Sequence, residues 1–363
     1  MRSAIGSIQR LGKDYYRVSV EGKPKPDGSR YRPSEVVRGP RSKAEAVLAR
    51  LVLDNGGGID ADMTVAEYWE TFYRPSLDNL APSTRHGYIH QYEKYVGPLF
   101  GDMMLDGLKA RTIEAKLAGI EKPGAQRGAY KLLRQMVNEA YRDELVESNP
   151  FHRRIRLKRA EKYEPEVLLL EDVPAWLDAI YGAKYEPVLL VMLFGGLRRE
   201  EACALFWSDI DFGVDLCAVR VDKTLVEVGG KLHEGPTKTP ESRRTVFIAG
   251  PIAARLLELS GEGPLVPDAN GNRMAPNRIS NEYRSLVSKA DAKYVPMRNL
   301  RNSYATIMQG LGASDSLISK SLGHTNLKVD YAHYFAANAP AHMDNARLLG
   351  DSVAARCSTA YTT

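Results

Sequence analysis

Residues 195–212 read GGLRREEACALFWSDIDF. Two glycines mark a turn, and Arg198 and Glu201 follow three residues apart, one helical turn, where a carboxylate can orient a guanidinium. The apolar run that leads in, VLLVMLFGGL from Val188, is about half of what a membrane span needs and reads as helix. Downstream, CAVRVDKTLVEVGGK and SRRTVFIA alternate like strands around a turn-rich segment, HEGPTKTPE, which puts Lys238 on a tight turn where a long amine can reach outward. Helical patterns then resume in PIAARLLELS, MAPNRISNEYRSLVSKAD, RNLRNSYATIMQGL and SDSLISKSLG. The C-terminal half is therefore expected to be mostly helical with one small antiparallel sheet.

Within that half, RNLRNSYATIM places Arg298 and Arg301 on one helical face, and LGHTNLKVDYAHY supplies His324, Tyr331 and Tyr334. Taken singly, each piece also has a structural reading. Arg198 with Glu201 makes a surface ion pair, Lys238 a solvated turn residue, Arg301 a helix-face charge and His324 a capping or core histidine. Two tyrosines at i and i+3 equally form the packing face of a helix. The segment LGASDSLISKSLGH also fits a helix-turn-helix, which would read DNA without doing chemistry.

Working toward the N-terminus, SNPFHRRIRLKRAEKYEPE breaks the helical periodicity with Pro150 and Pro165 and reads as an interdomain linker over 151–165. Before it lie four helical stretches, TVAEYWETFYRPSL, PSTRHGYIHQYEKYVGPLFG, KARTIEAKLAGI and GAYKLLRQMVNEAYRDELV, a four-helix domain over 61–150. Thr64 is placed to cap the first, and Ser83 or Thr84 the second. Residues 1–60 open with the strand-like GSIQRLGKDYYRVSV and YRPSEVV about a turn, KPKPDGS, followed by the helical SKAEAVLARLVLD: a β-ribbon plus helix. Residues 166–363 complete the division. The expected fold is mainly α with small β-sheets, in several domains.

At 363 residues the chain is too long for one ordinary core. The opening MRSAIGSIQRLGK lacks the apolar region of a signal peptide, so a cytoplasmic location and no membrane are expected. Three cysteines and seven histidines, scattered, suggest neither a disulfide framework nor a zinc site, and no cofactor or metal is expected. The net charge of +5 is uninformative by itself, but its placement is not. Residues 1–60 hold twelve Lys and Arg against seven Asp and Glu, and HRRIRLKRAEK (152–162) holds six against one Glu. Basic patches there suit a polyanion such as DNA. The expected contacts are Arg10, Lys13 and Arg17 in the ribbon, with Arg153, Arg154, Arg156, Lys158 and Arg159 in the linker.

In order and spacing, Arg198 with Glu201, Lys238 in a hairpin, an RxxR segment, LGH, and a tyrosine ten residues past its histidine resemble the tyrosine recombinase family of phage-integrase type. The match to GGLRREEACALFWSDID and TKTPESRRTV is close, and it covers the chain from about Met63 onward; the N-terminal ribbon resembles the arm-binding domain of lambda-type integrases. The resemblance implies site-specific cleavage and rejoining of DNA through a covalent 3′-phosphotyrosine, and integration or excision of a phage or mobile element. It implies that Arg198 and Arg301 clamp the scissile phosphate, Lys238 protonates the departing 5′-oxygen, His324 hydrogen-bonds the phosphate, and Glu201 supports Arg198. The family's spacing selects Tyr334 as nucleophile, with Tyr331 as the other candidate. Double-stranded attachment sites of core and arm type, a homotetramer on DNA, nucleoid association, and a host DNA-bending protein or excisionase are the implied partners and setting.

Arg298 stands where the family usually has histidine, and an arginine stays protonated and cannot accept a proton. Removal of the tyrosine proton would then fall to water, to a neighbour, or to depression of the tyrosine pKa by the surrounding cations. Two other readings remain: a catalytically weak relative that occupies attachment sites or regulates transcription, and a topoisomerase-like enzyme that needs no N-terminal ribbon.

Overall fold

The computed structural model describes residues 6–20, 30–54, 63–159, 163–237, 242–290, 292–323 and 331–357, with backbone alone at 53–54 and 331–340. The chain divides into two compact units, Met1–Lys162 and Tyr163–Thr363. Among the described residues no helix is long and apolar enough to cross a membrane.

The first unit opens with three antiparallel strands, β1 (Gly6–Gly12), β2 (Tyr15–Val20) and β3 (Ser34–Arg38), in the order β1-β2-β3. Along β2, Tyr16, Val18 and Val20 alternate inward, as a strand with one covered face requires. They meet Ala44, Leu51 and Val52 of the helix Arg41–Asp54. Arg10, Lys13 and Arg17 are exposed, with Arg17 on the face of β2 opposite Tyr16 and Val18.

Helical residues 65–79, 82–100, Ala110–Ala118 and Pro123–Arg142 build a second core around Leu132, Leu133, Met136 and Val137. Thr64 caps the first in a reciprocal capping box with Glu67. Neither Ser83 nor Thr84 caps the second. That helix starts at Pro82 with Ala81 before it and no side-chain cap, because proline's fixed φ and absent N–H suit a first helical position. Trp69 and Tyr92 tie the first two together, stacked 3.9 Å apart and 2° from parallel. Phe151 and Ile155, from the expected linker, are buried in this core. The Arg156 N–H donates to Glu114 Oε2 (2.9 Å) and the Lys158 N–H to Gln126 Oε1 (2.7 Å). The segment is thus pinned by its apolar residues, and Arg153, Arg154, Arg156, Lys158 and Arg159 keep contact with solvent.

The second unit holds a sheet of β4 (Ile210–Phe212), β5 (Leu216–Val221) and β8 (Arg244–Ala249), and a hairpin of β6 (Lys223–Val228) and β7 (Lys231–Pro236). The hairpin corrects the sequence reading: KLHEGP is a strand, and the tight turn is Gly229–Gly230, both at positive φ, the conformation that two-residue hairpins demand. Lys238 falls in the connection from β7 to β8 and lies outside the described residues. The helix Glu186–Phe194 is buried on every face, which accounts for its unbroken apolar run. Packed with it are the helices Val173–Ile180, Pro251–Glu258, Pro276–Lys289 and Met297–Gly310. The helix Tyr331–Ala354 lays Leu349 and Val353 into the same core, within the chain's own second unit.

Candidate active site

The site forms where the loop after the Glu186–Phe194 helix meets the Met297–Gly310 helix. Gly196 turns that loop at φ +64°, and a Cβ there would come within 2.8 Å of Tyr304 and 2.9 Å of Leu322, so only glycine fits. Arg198 follows in extended conformation and precedes the short helix Arg199–Ala202. Glu201 reaches back to accept from the Arg198 N–H (2.9 Å) and from Arg198 Nη1 (2.7 Å).

Glu201 is 1% exposed, and its second neighbour comes from far along the chain. Arg244, at the start of β8, donates through Nη2 (2.8 Å) and Nη1 (3.2 Å) to the two carboxylate oxygens. All four acceptor positions of one carboxylate are thereby filled. Burial pushes the Glu201 pKa up, but the hydrogen bonds and charge of Arg244, with the Arg198 N–H and guanidinium, prevail and hold it at about 2.

Arg301 lies a turn beyond Arg298 on the Met297–Gly310 helix and is buried. Nη1 donates to the Gly196 carbonyl (2.9 Å) and Nη2 to the Leu322 carbonyl. Burial, reinforced by the neighbouring Arg198 and Arg244 charges, pushes its guanidinium down to about 9. Arg198 and Arg244 thus share one carboxylate, with Arg301 close enough for their charges to act on its guanidinium. The Arg198 side chain is 40% exposed while Arg244 and Arg301 are covered, so of the three Arg198 is the one open to solvent. Such an arrangement binds anions and presents planar donor forks to tetrahedral oxygens.

Arg298 turns to Tyr163, its guanidinium 5.4 Å from the ring centroid and Nη2 3.4 Å from the hydroxyl. Asn299 Nδ2 donates to the same hydroxyl (2.8 Å), and the Asn299 and then the Arg298 hydrogen bonds lower the phenol's pKa. His324 lies outside the described residues, as does Lys238. Tyr331 and Tyr334 occupy the first turn of the Tyr331–Ala354 helix, where the backbone alone is described.

Sequence reasoning missed Arg244, Tyr304, Ser321 and His342. Arg244 donates to Glu201 and, through Nε, to the Ser321 carbonyl (2.9 Å). Ser321 Oγ lies 3.0 Å from His342 Nδ1 and also bonds Tyr304. The second arginine in SRRTV was the available signal, since a buried charge needs a counter-charge, but the sequence does not say which.

Residues 167–340 match the phage integrase family. The chain is 27% identical over 291 residues to an integrase of Mycobacterium phage D29, covering 76% of each. Among solved structures, the Tn1549 transposon integrase in complex with a circular intermediate DNA superposes with a TM-score of 0.63 at 18% identity, over 78% of this chain and 99% of that one. A lambda integrase tetramer bound to a Holliday junction superposes with a TM-score of 0.53 at 15% identity, over 89% and 97%.

Proposed function

We propose, from the premise that this chain is a tyrosine recombinase of the phage integrase type, that its arginine pocket holds the scissile phosphate of a DNA attachment site while a tyrosine of the Tyr331–Ala354 helix cuts the strand. The observation that carries this reading is the excess of guanidinium over carboxylate among the described residues around Glu201. A phosphodiester supplies the missing negative charge, and in the transition state the added charge on its oxygens falls on donors already in place.

The tyrosine oxygen bonds to phosphorus as the bond to the 5′-oxygen breaks, leaving a 3′-phosphotyrosine. Lys238 gives its proton to the leaving oxygen, and His324 donates to a non-bridging oxygen. Arg298 cannot accept the tyrosine's own proton, whose removal falls to water, to a neighbour, or to depression of the tyrosine pKa by the surrounding cations. Religation reverses these steps and draws on the phosphotyrosine bond itself. Tyr334 is the proposed nucleophile on spacing from His324, and Tyr331 is the alternative one turn away.

Domains at 1–60, 61–150 and 166–363, joined through 151–165, are proposed to divide the DNA contacts. Arg10, Lys13 and Arg17 engage arm sites, and Arg153, Arg154, Arg156, Lys158 and Arg159 engage phosphates beside the core site. Exchange of two duplexes calls for four protomers, and a DNA-bending protein or excisionase would set direction.

Covalent capture tests the central step. The full-length protein is mixed with nicked attachment-site DNA, quenched in denaturant, and the DNA-linked peptide is mapped. An adduct on Tyr334 is the expected result, and one on Tyr331 moves the nucleophile while keeping the reaction. Salt-sensitive binding without any adduct would overturn the assignment in favour of a binding-only relative.

A further inference from the structure

In the second unit a buried polar contact joins two helices. His342, on the Tyr331–Ala354 helix, is 6% exposed, and its Nδ1 lies 3.0 Å from the hydroxyl of Ser321, which is also 6% exposed. Ser321 ends the helix Asp315–Ser321. The last carbonyls of a helix have no partner within it, and here two of them are given to the active-site arginines. The Ser321 carbonyl accepts from Arg244 Nε (2.9 Å), and the Leu322 carbonyl accepts from Arg301 Nη2. One helix end therefore holds two pocket arginines by its backbone and the tyrosine-bearing helix by its side chain.

We propose that His342 is a positioning residue that, through Ser321, registers the tyrosine-bearing helix against the arginine pocket. The inference rests on the reading of that helix as the bearer of the nucleophile. Beyond His342 the helix is firmly docked. Leu349 and Val353 are buried in the core, and Arg347 pairs with Asp215 at 3.0 Å. Gly350 lies so close to the end of β8 that a Cβ on it would come within 2.7 Å of the Ala249 carbonyl. At about 1.5 Å of helical rise per residue, the stretch from His342 back to Tyr334 spans about 12 Å, so a small error at the anchor is carried along the helix to the Tyr334 backbone.

Packing alone does not call for a histidine here. A leucine of similar volume would cost no desolvation of polar groups, whereas a buried imidazole and hydroxyl are useful mainly for their fixed direction. The hydrogen bond adds a directional contact eight residues from Tyr334, on the tyrosine side of the docked residues Arg347 to Val353.

The test compares His342→Leu, His342→Gln, Ser321→Ala and the His342→Leu/Ser321→Ala double variant of the full-length protein. The readouts are non-covalent affinity for attachment-site DNA, the single-turnover rate of covalent adduct formation, and amide hydrogen exchange over 331–345. Misplacing a reacting group by about 1 Å can cost on the order of 100-fold, so His342→Leu should slow adduct formation by about 10- to 100-fold. Affinity should stay within about three-fold, since phosphate contacts dominate it. Exchange over 331–345 should accelerate. Glutamine, which can still bond the serine hydroxyl, should recover most of the rate, and the double variant should be no slower than the worse single one.

A purely structural role would lower affinity and rate together and would not be rescued by glutamine, and that result would overturn the proposal. So would unchanged exchange and rate in His342→Leu. If the unsubstituted protein forms no adduct, the recombinase assignment fails on its own. Exchange still decides whether the contact registers the helix.

Discussion

Glu186 with Arg255 and Glu201 with Arg244 are both buried carboxylate–guanidinium pairs of the second unit, and both are doubly hydrogen-bonded. Their surroundings differ in sign. Arg255 meets a second carboxylate, Glu258, at 2.9 Å, and its guanidinium is held above the ordinary value by Glu186 first and Glu258 after it. Around Glu201 the excess runs the other way, with Arg198 and Arg244 bonding one carboxylate and the nearby Arg301, whose own hydrogen bonds go to carbonyls, pushed down to about 9. The first cluster is closed and ties the Pro251–Glu258 helix to the Glu186–Phe194 helix. Among the described residues the second carries more guanidinium than carboxylate, the balance that an anion-binding site needs and a structural tie does not.

The largest effect expected from that contrast is on the reaction. Arg301→Lys loses the planar fork and should slow adduct formation on the order of 100- to 1,000-fold, the usual cost of losing a transition-state donor. Arg255→Lys should leave the single-turnover rate within about three-fold and act on stability instead. Equal losses of rate in the two variants would remove the distinction.

Stability gives the next contrast. Removing one partner of a buried pair costs about 3–5 kcal/mol, so both Glu201→Gln and Glu186→Gln should lower Tm. Only Glu201→Gln should recover part of the loss in sulfate, which replaces the missing charge at the arginine cluster. The pH dependence follows from the depressed Glu201 pKa. Its stabilisation is complete above the ordinary carboxylate value of 4.5 and is lost as pH falls through about 2, so Glu201→Gln should flatten the acid limb of the stability curve in that window.

A smaller effect is expected from inorganic phosphate on the unsubstituted protein. Ligand at about 100 times its Kd stabilises by about 2.7 kcal/mol, and the rise in Tm should vanish in Arg301→Ala while surviving in Arg255→Lys. Smallest is Arg298→His, which restores a residue able to accept a proton and should raise the cleavage rate several-fold at neutral pH.

Local spacing made much of this site readable. Arg198 and Glu201 are one helical turn apart, and the Thr64 cap and the four helical stretches of the first unit follow from periodicity and end signals. What stayed hidden depends on contacts over long chain separation. Glu201 meets Arg244 from 43 residues away, and Ser321 meets His342 across a helix end. β7 was hidden for a different reason. Its residues KLHEGP alternate poorly and carry glycine and proline, and pairing with β6 rather than propensity makes it a strand. At Pro82 two local rules competed, and proline's fixed φ prevailed over a hydroxyl cap.

The central claim is that the arginine excess exists to neutralise the scissile phosphate. The most direct measurement replaces that phosphate with an uncharged methylphosphonate and compares single-turnover cleavage by the unsubstituted protein and Arg198→Ala. If the claim holds, Arg198→Ala is strongly impaired on the natural phosphodiester and close to the unsubstituted protein on the neutral substrate. Equal impairment on both would mean that Arg198 serves the fold or DNA docking and not the charge on phosphorus.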